Sequence, residues 1–369
     1  MKSIIIHIGG HKTGSTAIQK MVFRNKELMK TKGWLFPGHV HAHNTIGEEL
    51  KRGGGNTENF DNTTFLEHAP FTKKIIDEIN KSGEDRVIIS AEYFEHLPKR
   101  GILSLKTVLD KAIDGDRKYI IIYYCRRQDF FLESLYRERI KIDFLEGNFP
   151  SPAFAGFKAT SPLRNYYGIL DTWASVFGKE NIIVQAYEKE QMKKDIFSDF
   201  FGKIDLQFTD EFQYPSEEDS NIGLSVDLTE FLRLASSSPQ TDQKFRNNLY
   251  RILVKLNIDN KKLKKRDYLS PEERREILIQ CEKTNQRVAR EYLGREDGKL
   301  FLEPWPDPDD SWEPYEGLSI EEIIPIFTRV LHKMHQDFNK NVHIFQREQD
   351  LIQKMSNWKK KLLSGIFPP

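Results

Sequence analysis

Cysteine is scarce in this sequence, with two residues, Cys125 and Cys281, in a chain of 369. Cys125 lies in an apolar run and Cys281 lies on the apolar side of a helical pattern. Two distant cysteines provide neither the spacing of a zinc site nor a disulfide framework. We therefore expect two buried thiols in a reducing compartment, which favours a cytoplasmic location.

Long hydrophobic runs are also missing. No stretch of ~18 consecutive residues is apolar enough for a transmembrane helix. The N-terminal sequence MKSIIIHIGG has one short apolar run and lacks the longer apolar segment and cleavage site of a signal peptide. We expect no membrane-spanning segment. The C-terminal sequence NWKKKLLSGIFPP is weakly amphipathic, which leaves open a frayed tail or a peripheral membrane contact.

The sequence also lacks an excess of positive or negative charge. Lys and Arg together number 56, and Asp and Glu together number 55. A balanced chain has no global field that attracts nucleic acid or an acidic membrane. We therefore expect no nucleic-acid partner, and any anion site must be a local arrangement of a few groups.

Short apolar runs recur through the first half of the chain. Four of them are typical of buried strands: SIIIHI at 3–8, RVIIS at 86–90, KYIIIYYC at 118–125 and NIIVQAY at 181–187. Helical patterns lie between them, for example at 17–29. Continuous apolar strands separated by helices indicate a parallel sheet covered on both faces. The fold class is therefore α/β, with a three-layer core.

Two long stretches interrupt this pattern. Residues 37–64 are rich in Gly, Asn, Thr and His, and residues 147–163 are rich in Pro, Gly and Ser. Both are long for connections in a compact domain, so we expect substrate-binding loops or disorder. The second half is predicted to be mainly helical. Its clearest signal is SPEE at 270–273, a capping box with a proline start.

The sequence HIGGHKTGSTAIQ, residues 7–19, joins the first predicted strand to a predicted helix. Such a junction binds anions, because glycines allow close approach and the helix start offers free N–H groups. The loop contains small and hydroxyl-bearing residues, namely Gly9, Gly10, Thr13, Gly14, Ser15 and Thr16. A nucleotide triphosphatase loop places its lysine directly after the last glycine. Here Lys12 precedes Gly14 by two residues, which argues against an ATPase and places the lysine over the mouth of the loop.

Three charged residues each follow a different predicted strand. Lys12 comes after the first strand, Glu92 after the second and Arg126 after the third. Because the carboxyl ends of parallel strands meet at one edge of the sheet, these side chains are expected to converge there. Glu92 could also cap a helix or pair with Lys12 or Arg126.

The motif GGHKTGST resembles the 5′-phosphosulfate loop of sulfotransferases that use 3′-phosphoadenosine 5′-phosphosulfate (PAPS). That loop usually reads G-x-x-K-[ST]-G-[ST]-[ST], and residues 9–16 match it with one extra glycine. The family also holds the 3′-phosphate of PAPS with an Arg at a strand end and a Ser eight residues later. Arg126 and Ser134 have this spacing, although they could be an incidental surface pair. The usual Arg-Asn-Pro or Arg-Asp-Pro is absent, and Arg127 could contact phosphate or solvent.

The resemblance implies roles for these residues. Lys12 would neutralise the leaving phosphate oxygen, helped by the loop residues Gly10, Thr13, Gly14, Ser15 and Thr16, and no metal would be required. Arg126 and Ser134 would bind the 3′-phosphate. Ser90-Ala91-Glu92 is similar to the Ser-Ser-Glu of bacterial saccharide sulfotransferases, which makes Glu92 the candidate general base and the adjacent His11 its rival. The implied acceptor is a hydroxyl of a capsular, exopolysaccharide or glycolipid saccharide.

The implied P-loop-type organisation is a single sulfotransferase domain over residues 1–345. Residues 1–205 form the PAPS-binding core, residues 206–345 form a mainly helical acceptor side, and residues 346–369 form a tail. The oligomeric state stays open. Two other functions compete: a P-loop kinase or ATPase, and a non-catalytic glycan-binding protein of the same fold. His39, His41 and His43 alternate in a polar stretch, which favours solvated or acceptor-contacting side chains over a metal site.

Overall fold

The computed structural model describes residues 1–53, 61–148, 152–215, 223–238, 242–259 and 266–363. Within these ranges the chain forms five strands and fourteen α-helices. The strands are β1 (Lys2–Ile8), β2 (Trp34–Leu35), β3 (Arg86–Ala91), β4 (Arg117–Cys125) and β5 (Ile182–Ala186). The helices are α1 (Ser15–Arg24), α2 (Lys26–Thr31), α3 (Asn44–Gly53), α4 (Asn62–His68), α5 (Pro70–Lys81), α6 (Lys99–Ala112), α7 (Gln128–Glu146), α8 (Phe154–Thr160), α9 (Tyr166–Phe177), α10 (Ile196–Lys203), α11 (Val226–Ser236), α12 (Gln243–Asp259), α13 (Pro271–Leu293) and α14 (Ile320–Leu363).

The chain divides into two compact units. The first comprises Met1–Tyr136, Phe154–Ile222 and Leu269–Glu313, and it contains the whole sheet. The second comprises Arg137–Ala153, Gly223–Tyr268 and Pro314–Pro369, and its described elements are helical. Every candidate site residue predicted from the sequence belongs to the first unit.

The sheet is parallel throughout, with the strand order β2-β3-β1-β4-β5. Its register places Ile8 opposite both Ala91 and Tyr123, so β1, β3 and β4 end at the same edge. The predicted α/β class with a parallel sheet is confirmed, and the four predicted strands are found. The fifth strand, β2, has only two residues, too few to produce a sequence pattern.

Helices cover both faces of this sheet. Ile4, Ile6 and Ile8 face a core that includes residues of α3, α5, α6, α9 and α13. Ile5, with Ile88 and Ile122 from the neighbouring strands, faces a second core with residues of α1, α2 and α10. Burial of both faces explains why the strands are continuously apolar and do not alternate. The three-layer core and the helical C-terminal portion are as predicted.

The two stretches expected to be loops contain helices. Within 37–64 lies α3, and within 147–163 lies α8. Helix α3 is short and mostly polar, and contacts distant in sequence stabilise it. Its Ile46 and Leu50 are buried in the core. Its Glu49 carboxylate accepts hydrogen bonds from the N–H and hydroxyl of Thr72 at the start of α5, at 2.9 and 2.6 Å.

The predicted helix at 17–29 is divided into α1 and α2 at Asn25. The Asn25 amide donates to the carbonyl of Met21 at 2.8 Å and to that of Gln213 at 2.9 Å. These bonds fix a bend that side-chain periodicity does not report.

Helix α13 begins as the sequence predicts. The Ser270 hydroxyl accepts the N–H of Glu273 at 3.1 Å, and the Glu273 carboxylate accepts the N–H of Ser270 at 2.8 Å. None of the described helices combines the length and the apolar character that crossing a bilayer requires. Helix α14 runs past residue 345 to Leu363, and residues 364–369 of the predicted tail lie outside the described residues.

Candidate active site

The loop after β1 depends on glycine at two positions. A Cβ on Gly10 would lie 2.8 Å from the carbonyl oxygen of Tyr124 on β4, too close for any other residue. Gly14 has φ 78°, in the left-handed region. Lys12 shares this conformation, with φ 61°, although it carries a side chain. A lysine held in a sparsely populated conformation is typical of a functional loop.

Side-chain hydroxyls hold the loop closed on itself. Thr13 and Ser15 are buried, and both donate to the carbonyl oxygen of Gly10, at 2.6 and 3.0 Å. No side chain caps the start of α1 in the described part of the chain, and its first turn contains no acidic residue. The first N–H groups of a helix have no partner within the helix. This helix start is therefore suited to an anion.

Arg126 joins the two predicted anion-binding motifs. Its Nη1 donates to the carbonyl oxygen of Lys12 at 2.8 Å and to the hydroxyl of Ser134 at 3.3 Å. The Tyr187 ring, just after β5, lies with its centre 5.8 Å from the Arg126 guanidinium and packs against Gly14. The loop and the Arg–Ser pair, more than a hundred residues apart in sequence, thus lie side by side.

Arg127 takes neither of the two orientations considered from the sequence. It is buried and forms an ion pair with Asp129 at 2.9 Å. Asp129 also pairs with Arg274 of α13 at 3.0 Å, and Arg274 pairs with Glu133 at 2.9 Å. This buried network anchors the start of α7 to α13. Arg127 is therefore a structural residue.

Glu92 lies beside the loop at the end of β3. It accepts a hydrogen bond from the Thr16 hydroxyl at 3.0 Å, and its other oxygen is 3.9 Å from Nδ1 of His11. Nε2 of His11 is hydrogen-bonded to Nε2 of His96 at 2.8 Å. Both candidate bases thus lie at the loop after β1, and their contacts form a polar chain that ends at the exposed His96.

Burial lowers the pKa of His11 below its ordinary value of 6.5, and Glu95 partly opposes this effect. Burial also lowers the pKa of His96. Both imidazoles are therefore neutral at pH 7, where one donates the shared proton and the other accepts it. A neutral histidine beside Glu92 can accept a proton.

Glu95 was not predicted from the sequence, and it connects several parts of the site. Its carboxylate accepts the backbone N–H of His11 at 3.2 Å and pairs with Arg164 at 2.7 Å. It also accepts the hydroxyl of Tyr123 on β4. Glu95 lies three residues after Glu92 in the 3₁₀ turn Glu92–His96, so its proximity to a strand end was an available signal. Arg164 lies in an irregular segment, and no feature of the sequence pointed to it.

Three residues of types that bind metals meet in the described part of the chain: His11, Glu95 and His96, with ligand atoms within 4.8 Å of one another. The hydrogen bonds described above already engage these groups, and the expectation of a metal-free reaction stays a prediction. The alternating histidines form no such group among the described residues. His43 is buried, and its nitrogens contact the N–H of Ser90 and the carbonyl of Pro37 at 3.0 and 2.8 Å.

Fold and site together define an α/β protein with a glycine-rich loop at the carboxyl edge of a five-stranded parallel sheet. No protein-family model matches the chain. An uncharacterized protein of Archaeoglobus fulgidus is 26% identical over 269 residues, which cover 71% of this chain and 68% of the relative. A solved sulfotransferase from Alicyclobacillus acidocaldarius aligns over 67% of this chain and 99% of its own, at 14% identity and a TM-score of 0.33.

Proposed function

We propose that this protein is a sulfotransferase that moves a sulfuryl group from PAPS to a saccharide hydroxyl. One observation carries the proposal: Arg126 Nη1 lies 2.8 Å from the Lys12 carbonyl and 3.3 Å from the Ser134 hydroxyl. The loop that we propose for the phosphosulfate and the pair that we propose for the 3′-phosphate are therefore neighbours, which supports binding of one doubly phosphorylated adenosine to both. The two buried free cysteines fit a reducing compartment, so a cytoplasmic location is part of the proposal.

The residues fit the proposed donor. PAPS supplies an activated sulfuryl group on its 5′-phosphate and a second anion at its 3′-phosphate. The uncapped start of α1 and the glycines at 9, 10 and 14 suit the first anion. The planar fork of Arg126 binds two phosphate oxygens at once, and the Ser134 hydroxyl adds a donor.

Lys12 has the central electrostatic role. During transfer the bond from sulfur to the donor phosphate oxygen breaks, and negative charge grows on that oxygen. The Lys12 ammonium and the N–H groups of the first turn of α1 stabilise this charge without reorganising. The chemistry resembles phosphoryl transfer, in which positioning and charge neutralisation provide most of the catalysis.

Glu92 accepts the acceptor's proton as the new bond from oxygen to sulfur forms. Its hydrogen bond from Thr16 keeps the carboxylate next to the loop, within reach of a hydroxyl beside Lys12. Positioned general bases of this kind contribute about 10²- to 10⁴-fold. Nδ1 of His11 lies near the second oxygen of Glu92, and Nε2 of His11 is hydrogen-bonded to His96.

A ligand-induced shift in melting temperature tests the donor site. We expect adenosine 3′,5′-bisphosphate to stabilise the protein without Mg²⁺, because ligand that binds the folded state raises its stability. A kinase or ATPase would instead respond to ATP with Mg²⁺, and a glycan-binding protein to neither. The Arg126→Met variant should respond to the bisphosphate no better than to adenosine 5′-monophosphate, since it lacks the group proposed to bind the 3′-phosphate.

Turnover of labelled PAPS tests the role of Lys12. We expect Lys12→Ala to lower kcat by at least ~100-fold, the scale for losing one group that stabilises developing charge. Lys30→Ala, at an exposed lysine on α2, is the matched control and should leave kcat unchanged. Full turnover by Lys12→Ala would contradict the assigned role, whereas a failure to bind the bisphosphate would contradict the function itself.

A further inference from the structure

The first unit contains a cavity of about 590 Å³, within the range of about 300–1,000 Å³ usual for ligand sites. Its walls come from α8, from the segment that joins α8 to α9, and from the first half of α13, with Leu132 of α7 at one side. Lys12, Glu92 and Arg126 do not line it.

Hydrogen bonds connect this cavity to the catalytic loop. Arg164 lines the cavity, and its Nη2 lies 2.7 Å from Glu95. The same Glu95 oxygen accepts the backbone N–H of His11 at 3.2 Å, directly before Lys12. A ligand in the cavity that contacts Arg164 is therefore two hydrogen bonds away from the loop.

The walls suit a molecule with one apolar and one polar face. Leu132, Leu163 and Ile277 provide apolar surface, while Asn165 and Gln280 provide amides. The C–H faces and hydroxyl edges of a sugar ring match such walls. The Arg164 side chain is 20% exposed and lines the cavity, and a guanidinium has several N–H groups that can donate to a hydroxyl oxygen.

The charges on the walls cancel. Four charged side chains line the cavity, two positive (Lys158 and Arg164) and two negative (Glu273 and Glu276). Lys158 pairs with Glu273, and Arg164 pairs with Glu95 at 2.7 Å. Since its cations are already compensated, the cavity has no surplus positive charge with which to attract a uronate or a sulfated glycan.

We propose that this cavity is the acceptor site and that it selects uncharged saccharides. The proposal rests on the proposed function, because it identifies the acceptor of the same reaction. The C–H face of a sugar ring packs on the leucine and isoleucine wall, and its hydroxyls bond with Gln280, Asn165 and Arg164. One hydroxyl then extends toward Lys12 and Glu92.

A glycan panel with matched acidic members tests the selectivity. Labelled PAPS is offered with neutral pentasaccharides, such as maltopentaose, cellopentaose and mannopentaose, and with pentagalacturonate. We expect transfer to at least one neutral member and at least ~10-fold lower kcat/KM for pentagalacturonate, about 1.4 kcal/mol of discrimination. Transfer confined to the acidic glycan, or to no neutral member, would overturn the proposal of an uncharged acceptor.

Two pairs of variants on α13 test the location. Gln280→Trp fills the cavity and should raise KM for the accepted glycan at least ~10-fold. Ile279→Trp, at an exposed neighbour that does not line the cavity, should not. Glu276→Lys gives the walls a net positive charge and should shift preference toward pentagalacturonate, whereas Glu282→Lys, outside the cavity on the same helix, should not.

Binding of adenosine 3′,5′-bisphosphate separates the possible failures. Variants that keep the wild-type melting shift with the bisphosphate are folded and retain the donor site. If such a Gln280→Trp variant transferred sulfate with unchanged KM, the acceptor would bind elsewhere and the proposed function would stand. If the unsubstituted protein bound no bisphosphate, the result would contradict the proposed function itself and not only the location of the acceptor site.

Discussion

Glu92 and His11 are the two candidate general bases, and their hydrogen-bond partners distinguish them. Their side chains are 3.9 Å apart, so either could receive a proton from a hydroxyl beside Lys12. Thr16 binds Glu92 and His96 binds His11. Only Glu92 is held directly by the helix that begins at the loop, which is why we assign it the role of base.

Two variants distinguish these bases. Glu92→Gln should lower kcat by at least ~100-fold, because the amide cannot accept the proton. His11→Asn should cost less than ~10-fold and should keep the acid limb of the pH profile of kcat/KM. Because its pKa is lowered below 6.5 by burial, a catalytic His11 would set an acid limb below that pH. Loss of this limb in His11→Asn would assign the base to His11.

Three of the predicted candidate residues share one property, a position just after a strand. Lys12, Glu92 and Arg126 follow β1, β3 and β4, and parallel topology brings such positions to one edge. Arg164 was missed because it lies in an irregular segment and reaches the site through a contact 69 residues away in sequence. Sequence spacing does not encode contacts of that kind.

At the scale of elements, strands buried on both faces were the most predictable. Their continuous apolar runs arise from burial itself. Helix α3 was not predicted, because the contacts that stabilise it come from a distant part of the chain. Its Glu49 carboxylate accepts backbone N–H groups from the start of α5. Tertiary contacts that override local preference explain most of what the sequence did not predict about the fold.

Helix α13 carries both a cavity wall and a complete capping box, so its start can be tested alone. We expect Ser270→Ala to lower the free energy of unfolding by about 1 kcal/mol, the usual cost of losing a hydroxyl cap. Urea unfolding followed by circular dichroism measures this change. Ser175→Ala, at an exposed serine inside α9, should be neutral or stabilising. Equal losses at both sites would show that the cap has no special effect.

At the scale of the whole molecule, two buried histidines connect stability to pH. Burial lowers the pKa of His7 to about 3 and lowers the pKa of His43. The unfolded chain binds protons on these residues near pH 6.5, whereas the folded chain does not. Protonation therefore favours unfolding, and the stability they contribute is complete above about pH 6.5.

Acid titration of the unfolding free energy should reveal this link. Each such histidine should lower stability by about 1.4 kcal/mol per pH unit as the pH falls from ~6.5 toward its folded pKa. His7→Gln removes one titrating group and should flatten the slope by about that amount. The same exchange at exposed His39 is the matched control for the substitution itself. Identical slopes for both variants and the unsubstituted protein would refute the assignment.

The buried network of Arg127, Asp129, Glu133 and Arg274 has a consequence for how this architecture can vary among relatives. Removing one member of a buried ion pair leaves a charge stranded away from water, which costs about 3–5 kcal/mol. Replacing a whole pair by apolar residues of similar size is often tolerated. These four positions should therefore be inherited or exchanged together, although Asp129 and Arg274 are 145 residues apart in the chain.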